Sequence, residues 1–575
     1  PHPLGNLSHI DAENFNGVQQ WWTVNSRSDI QIEDVRTRPE DTTIGMRNTD
    51  PEVGFRVYFD PEQLTNNARA EDSALTLKLD DITKPGDLTD VPVDAVSFKL
   101  DGVLYALKSE AIGAAKTHPE LVAALQAAIA AQPALAGLTV TLNANTTITI
   151  EDPAGKVFEK GAWGFIDGVV PADGNIVFQQ TVGNPSLVDE PITTNVVLDN
   201  VGRTSVGGGL DIGSLGEGGV EQFNVSVDRS SWLTEMESTS HLWDGVYAEE
   251  QHLEIVNFKS IGAKGDLTVG ERAFALANAP DGRVAGGLTD VRVINGKDFA
   301  GKLNLGIVLT GNVDGRYLAE ATAPVQFSFD GSKQNDIFNV NVNSDIAGDP
   351  DFRLGINMGA GDDRLILATS TGSGQLKNIS VDGGTGNNTF VTATSVGTSA
   401  NLEFKSFTNF QNYEIEGGST NHDFTTLNGV TSVVVATNGG ANNNLIDLAA
   451  NNGIVISGKN QTTGNFSNAN QSFGKIDVQG ADGATLAVKL DNTARIGGTG
   501  AGKLTVADLS VTDLPGNLSA VRTLDIESAG RRDTTNQITS IKAEKVGTFN
   551  FTGTQALTAG LNAAANSTGP AAGVI

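Results

Sequence analysis

The chain has no cysteine in 575 residues, which excludes disulfides, thiolate metal centres and cysteine nucleophiles. No apolar run approaches the ~20 residues that cross a bilayer as a helix. Positive charge is scarce, with 38 Lys and Arg against 68 Asp and Glu and a net charge of −30. A field of that sign repels nucleic acid and anionic membranes and attracts divalent cations. Neither nucleic-acid binding nor membrane insertion is therefore expected. The opening PHPLGNLSHI has neither the basic nor the apolar region of a signal peptide. That fits a protein whose leader has been removed, or one that never used a leader.

Catalytic signatures are also missing. There is no GxSxG elbow and no HExxH, and the six histidines are scattered. The tightest grouping, His241, Asp244, Glu249, Glu250 and His252, lacks the i, i+4 spacing of a helical zinc site. IGGTGAGKLTV contains GxxxxGK from Gly497 to Lys503. Leu504, however, stands where Ser or Thr would hold magnesium, and the following residues alternate as a strand where a phosphate loop needs a helix. No enzymatic activity is expected from these patterns.

Glycine is abundant, at 67 residues, while charged residues make up 18% and aromatics 6%. Such a surface must be built from Asn, Thr, Ser and Gly, which suits short strands joined by tight turns. The length predicts roughly two to four domains of ~150 residues. Thirteen of the 18 prolines precede residue 196, and all five tryptophans lie at or before Trp243. The expected organisation is a mixed α+β region over 1–195, a β-rich domain over 196–320 and a β-strand-repeat region over 321–575. The fold class is mainly β: an N-terminal α+β module followed by a long repetitive β region, either a β-solenoid or serial β-sandwich domains.

Within the first third, PVDAVSFKLDGVLYALKS alternates and turns at Asp101-Gly102, a strong hairpin signal. THPELVAALQAAIAAQ predicts a helix. Thr117 serves as N-cap, Pro119 sits in the first turn, Glu120 completes a capping box, and Leu121, Leu125, Ala128 and Ile129 form the apolar stripe. LTVTLNANTTITIEDPAGKVF reads as a second hairpin turning at Asn143–Asn145. Hairpin, helix and hairpin make a small α+β module near 93–160. Ahead of it, Trp21, Trp22, Arg36 and Arg38 combine the residue types enriched in interface hot spots, which makes them candidates for a subunit contact. Packing and surface charge are the alternative.

From about residue 196 the sequence runs strand after short strand, QFNVSV, HLEIVNF, LNLGIVL, VQFSF, IFNVNV and RLILA among them, at roughly 8–12-residue spacing. Three turns align. GSKQNDIF begins at Gly331, MGAGDDRL at Met358 and GGTGNNTF at Gly383, so that Asp336, Asp363 and Asn388 become equivalent, as do Phe338, Leu365 and Phe390. GGANNNLI from Gly439 and GGTGAGKL from Gly497 extend the series, placing Asn444 with Ile446 and Gly502 with Leu504. A quasi-period with a glycine turn and an inward apolar residue marks a stacked β-architecture.

MGAGDDRLI and GGTGNNTFV resemble GGxGxDxUx, the calcium-binding nonapeptide of the repeats-in-toxin proteins, departing from it at Met358 and Asn388. The surrounding strands, such as FKSFTNFQNYEIEGG, are similar to the β-strand repeats of bacterial surface-layer proteins. Similar segments occur in bacteriophage virion proteins. The likeness covers roughly residues 200–575. It implies a self-assembling, calcium-stabilised lattice or fibre at the cell surface, whose partners are further copies of itself and a cell-surface polysaccharide anchor. The other readings are a virion tail, fibre or sheath subunit, and a secreted β-helix enzyme acting on polysaccharide. By the same resemblance Asp336 and Asp363 are candidate calcium ligands, with Asp349, Asp351 and Asp362 as further ones. The tandem spacing a calcium β-roll needs is absent here, since each ion takes about six or more oxygens from neighbouring rungs. Solvent-facing turns, with Asp and Asn chosen for backbone preference, are the alternative.

Overall fold

The computed structural model describes residues 9–12, 20–64, 74–79, 95–100, 103–115, 117–142, 147–152, 158, 164–165, 176–179, 191–204, 206–216, 218–240, 251–271, 282–319, 321, 323–369, 376–397, 403–416, 420–436, 440, 442–450, 452–457, 470–492, 502–530 and 534–562. The chain divides into two compact units, one formed by residues 1–64 together with 193–575 and the other by 65–192. The boundary near 193 falls where the composition changes. Residues 1–64, grouped by sequence with the α+β region, instead belong to the repetitive unit.

The larger unit is a parallel β-solenoid. Among the described residues all of its strand pairings are parallel, and each strand pairs with the strand one rung further along. Its strands form four sheets. The first runs from His9–Asp11 to Glu235–Glu237, the second from Gln20–Val24 to Ser406–Thr408, the third from Ser231–Leu233 to Thr548–Gly553, and the fourth from Thr420–Asp423 to Ala556–Leu561. Early rungs combine the first and second sheets, middle rungs the second and third, and late rungs the third and fourth. The insertion leaves the register intact: Val196 pairs with Ile44 and Leu210 with Phe55, so the strands on either side of residues 65–192 are adjacent rungs.

Two-residue alternation places one apolar side chain per strand position inward, where it lands on its equivalent in the next rung. In the third sheet the column runs Leu305, Phe338, Leu365, Phe390, Tyr413, Val433, Ile454, Val488, Ile526 and Phe551. All are buried except the last, Phe551, which is half-buried. Each fully buried member contributes about 1.5–3 kcal/mol of hydrophobic stabilisation. The equivalence of Phe338, Leu365 and Phe390 read from the glycine turns is therefore their actual register. The two extensions of that alignment differ. Ile446 and Leu504 lie in the fourth sheet, where they pair with Gln479 and with Gln471 and Asn536. Where the second sheet hands over to the fourth, aromatics fill the seam. Phe390 contacts Phe404, Phe407, Phe410 and Tyr413 with ring centroids 5.3–5.6 Å apart.

Residues 65–192 form the α+β unit, with only antiparallel pairings among the described residues. Ala95–Leu100 pairs with Val103–Lys108, Leu100 opposite Val103, and Thr139–Leu142 pairs with Thr147–Glu151. The two hairpins belong to separate sheets. The helix spans His118–Ala130, with Thr117 Oγ1 accepting from Glu120 N at 3.4 Å. Its buried stripe, Leu121, Ala124, Leu125, Ala128 and Ile129, shares one core with Phe98, Leu107, Ile150 and Phe158. Among the described residues no helix is long and apolar enough to cross a membrane. The turns at Asp101-Gly102 and Asn143–Asn145 lie outside the described residues.

The glycine turns are stacked as closely as the core. Gly384 has φ +72°, and a Cβ there would overlap the carbonyl oxygen of Gly359 one rung away. Gly384→Ala is therefore expected to lower stability by about 2 kcal/mol or more. Gly547→Ala, which meets open space without a left-handed backbone, should stay within ~1 kcal/mol. Urea denaturation of the two variants makes the comparison.

Candidate functional site

The aligned turn residues do meet, as a ladder running along the inside of the solenoid wall. Asp336 N donates to Asp363 Oδ1 at 2.7 Å, Asp363 N to Asn388 Oδ1 at 2.9 Å, and Asn388 N to Gln411 Oε1 at 2.8 Å. At its near end Asp336 Oδ1 accepts from Leu303 N and Ser332 Oγ, both at 2.8 Å, and its Oδ2 accepts from Ser332 N at 2.5 Å. Asp336, Asp363 and Asn388 are each at most 1% exposed. The cause is local. Where each of these strands begins, a buried backbone N–H takes its acceptor from an Asp, Asn or Gln side chain of the next rung, as a buried donor requires. A second, exposed ladder runs beside it, with Asp362 N donating to Asn335 Oδ1 at 2.9 Å and Asn387 N to Asp362 Oδ1 at 2.8 Å.

Burial pushes the Asp336 carboxyl up to about 6, against the opposing pull of its hydrogen bonds. Burial, reinforced by Asp336 and Asp362, pushes Asp363 up to about 7. Asp363 Oδ2 has no hydrogen-bond partner among the described residues. These features do not fit calcium. The lone pairs of Asp336 face N–H and O–H donors, and a divalent ion needs roughly six free oxygens. Asp349 and Asp351 lie after the short helix Ser344–Gly348, where Asp349 Oδ1 accepts from Asp351 N at 2.7 Å as a turn. No group of three or more His, Asp or Glu able to hold a metal occurs among the described residues. Of the set His241, Asp244, Glu249, Glu250 and His252, only His252 is described.

The candidate contact residues lie at the first rung. Trp21 heads an inward column that continues through Ile44, Val196, Val225 and Phe258, and it is half-buried where those below it are buried. Trp22 points outward across Gly45, with the Arg47 guanidinium 5.1 Å from its ring centroid. Arg36 pairs with Asp34 and Asp60 at 3.6 and 3.4 Å, and Arg38 with Glu40 at 2.5 Å.

Two polar clusters were not apparent from sequence. Arg283, 4% exposed, forms a bidentate pair with Glu416 at 2.6 and 2.7 Å, and Arg364 pairs with Glu414 at 3.0 Å. Burial raises Glu416 above the ordinary range, with Arg283 opposing. Their only sequence trace is the alternation Glu414-x-Glu416 at the end of the strand Asn412–Ile415. In the core, Tyr413 Oη and His422 Nδ1 are 2.8 Å apart, and His422 Nε2 is 2.8 Å from Thr420 Oγ1. Burial lowers His422 to about 3, so its ring is neutral. Lys503, the last residue of the GxxxxGK pattern, begins the strand Lys503–Thr512. Comparison with protein-family models, curated proteins and solved structures gives no match.

A carboxyl raised by folding keeps its proton in the native chain at pH values where the unfolded chain has lost it. The contribution of Asp336 and Asp363 is therefore fully present below about pH 4 and is lost as pH rises through about 6 and 7. Asp363→Asn keeps the Oδ1 acceptor, as Asn388 does one rung later. It should stabilise the chain by about 1–3 kcal/mol at pH 8, with a smaller gain at pH 5 that vanishes below about pH 4. Asp336→Asn places an NH2 against Ser332 N and should cost about 1–3 kcal/mol at both pH values. Denaturation curves at pH 5 and 8 test both. Neither millimolar calcium nor chelator should move the unfolding midpoint of the monomer, measured by calorimetry.

Proposed function

We propose that the chain is a non-enzymatic structural subunit that self-assembles end on into a surface-layer-like lattice or fibre. The observation that carries this reading is the state of the two ends of the stack. Gln20–Val24 and Thr548–Gly553 are the terminal strands of their sheets among the described residues, so each has one described neighbour. Each also carries a half-buried aromatic, Trp21 at one end and Phe549 and Phe551 at the other, at positions that are fully buried one rung inward. An open strand edge backed by partly covered apolar surface is a pairing template, and Trp is among the residues that dominate contact energies. Side-by-side contact between two chains of charge −30 is opposed by repulsion, whereas end-on contact buries apolar surface. Calcium enters this reading only as a neutraliser of acidic surface between subunits. The extracellular setting comes from the family resemblance. A bacteriophage virion subunit is the second reading, favoured by the α+β unit carried between two rungs.

Electron microscopy and sedimentation test the proposal. The chain should form end-to-end assemblies as its concentration rises, and Trp21→Lys or Phe551→Lys should abolish them while leaving the unfolding midpoint nearly unchanged. A chain that stays monomeric at high concentration in millimolar calcium would refute it.

A further inference from the structure

Among the described residues, the outer face of the third sheet is covered over its first half and open over its second. Over the first half lies the segment 282–287. Asn304 Nδ2 donates to Gly282 O and Asn339 Nδ2 to Val284 O, at 2.9 and 2.8 Å. Beneath it Ile337, Ile366 and Val391 form a small outward-facing apolar cluster. Arg283 reaches Glu416 at the far edge of this cover. Beyond that edge the same face holds a cavity of about 500 Å³ spanning the strands Ser432–Val435, Gly453–Ser457, Thr485–Asn492, Thr523–Gly530 and Thr548–Gly553. That is the size of a ligand site.

Parallel register sets what lines it. One outward row is Ala487, Asp525 and Asn550, and the next is Val455, Lys489, Glu527 and Thr552. The floor is small, with Gly453, Ala450 and Ala487, so a ligand can approach the strands closely. The polar groups gather at one side. Asp525 Oδ1 accepts from Asn550 Nδ2 at 2.8 Å, and Lys489 Nζ stands 3.7 Å from Glu527 Oε1. Thr431, Ser432 and Thr485 add hydroxyls and Asn452 an amide.

We propose that this groove binds a neutral polysaccharide chain lying across the rungs. Three properties of the lining select that ligand class. Hydroxyls, an amide, an ammonium and carboxylates together offer both donors and acceptors, which a polyhydroxyl ligand can satisfy in either sense. Two carboxylates against one ammonium disfavour a polyanion. Among the described residues of the lining there is no aromatic ring, so a planar or apolar ligand gains little there. Four rung steps of ~4.8 Å give the groove a length of roughly 19 Å, which suits an extended chain of several sugar rings better than a single small molecule. This binding does not require end-on assembly, because the groove lies on a side face of a single chain and shares only the strand Thr548–Gly553 with the proposed end contact.

Affinity electrophoresis of the full chain tests the inference, using gels containing dextran, xylan or glucomannan, with alginate as the polyanion. Retardation is expected in at least one of the neutral polymers and not in alginate. Ala487→Trp, which fills the floor, and Asp525→Ala/Glu527→Ala, which removes the acceptors, should each weaken retardation at least about tenfold, a change of ~1.4 kcal/mol. Ala507→Trp, exposed on the fourth sheet, should leave it intact, and thermal unfolding midpoints should match across all variants. The inference is overturned if no neutral polymer retards the chain, if alginate alone does, or if the groove variants bind like the wild type.

Discussion

Rung-to-rung equivalence is the constraint from which the rest of this molecule follows. In a parallel solenoid every strand position repeats along the stack, so an inward apolar residue must rest on another and a buried donor must find its acceptor one rung away. The third-sheet column from Leu305 to Phe551 satisfies the first demand. The chain Asp336, Asp363, Asn388, Gln411 satisfies the second. Both follow one quasi-period, which is why turn spacing and core register coincide. The same repetition has a cost in charge. Two successive Asp residues are carried into a buried position, and burial makes both hold their protons more tightly, reinforced at Asp363 by the charges of Asp336 and Asp362.

How much of this could be read from the sequence depended on whether the signal was local. The helix at His118–Ala130 carries its own cap, proline and stripe, and the hairpin at Ala95–Lys108 its own turn dipeptide, so both were legible. The register of Phe338, Leu365 and Phe390 was legible because consecutive rungs share turn chemistry. Residues 20–59 were not recognised as rungs, because the partner of Arg47 across the sheet, Asp199, lies 152 residues away. Extending the turn alignment to Gly439 and Gly497 failed for another reason. Gly-Asn turns look alike wherever they occur, while the handover from the second sheet to the fourth changes which sheet the following strand joins.

The aspartates show why a motif can predict position without predicting chemistry. GGxGxD places a carboxylate at the start of a strand in either case. Whether that carboxylate faces cations or amides depends on the neighbouring turn, and here Ser332 and the backbone of Leu303 supply donors. Asn388 keeps the contact with an amide in place of an acid. The groove on the third sheet is the opposite case: Lys489, Asp525 and Glu527 form no motif, since they come from different rungs and meet only through register. Exposed alternation on a strand is too common for sequence to single out.

The α+β unit carried between two adjacent rungs has a consequence for biosynthesis. The strand Thr43–Arg47 cannot meet its neighbour Thr193–Asp199 until about 150 further residues have been made, which takes roughly 8–30 s at ~5–20 residues per second. During that interval the strands of residues 9–59 have only one another to pair with, while the inserted unit carries the helix and hairpins of its own core. Trp21 has its neighbour Ile44 close by in sequence, whereas the other edge of Thr43–Arg47 is covered only after the whole inserted unit has been synthesised.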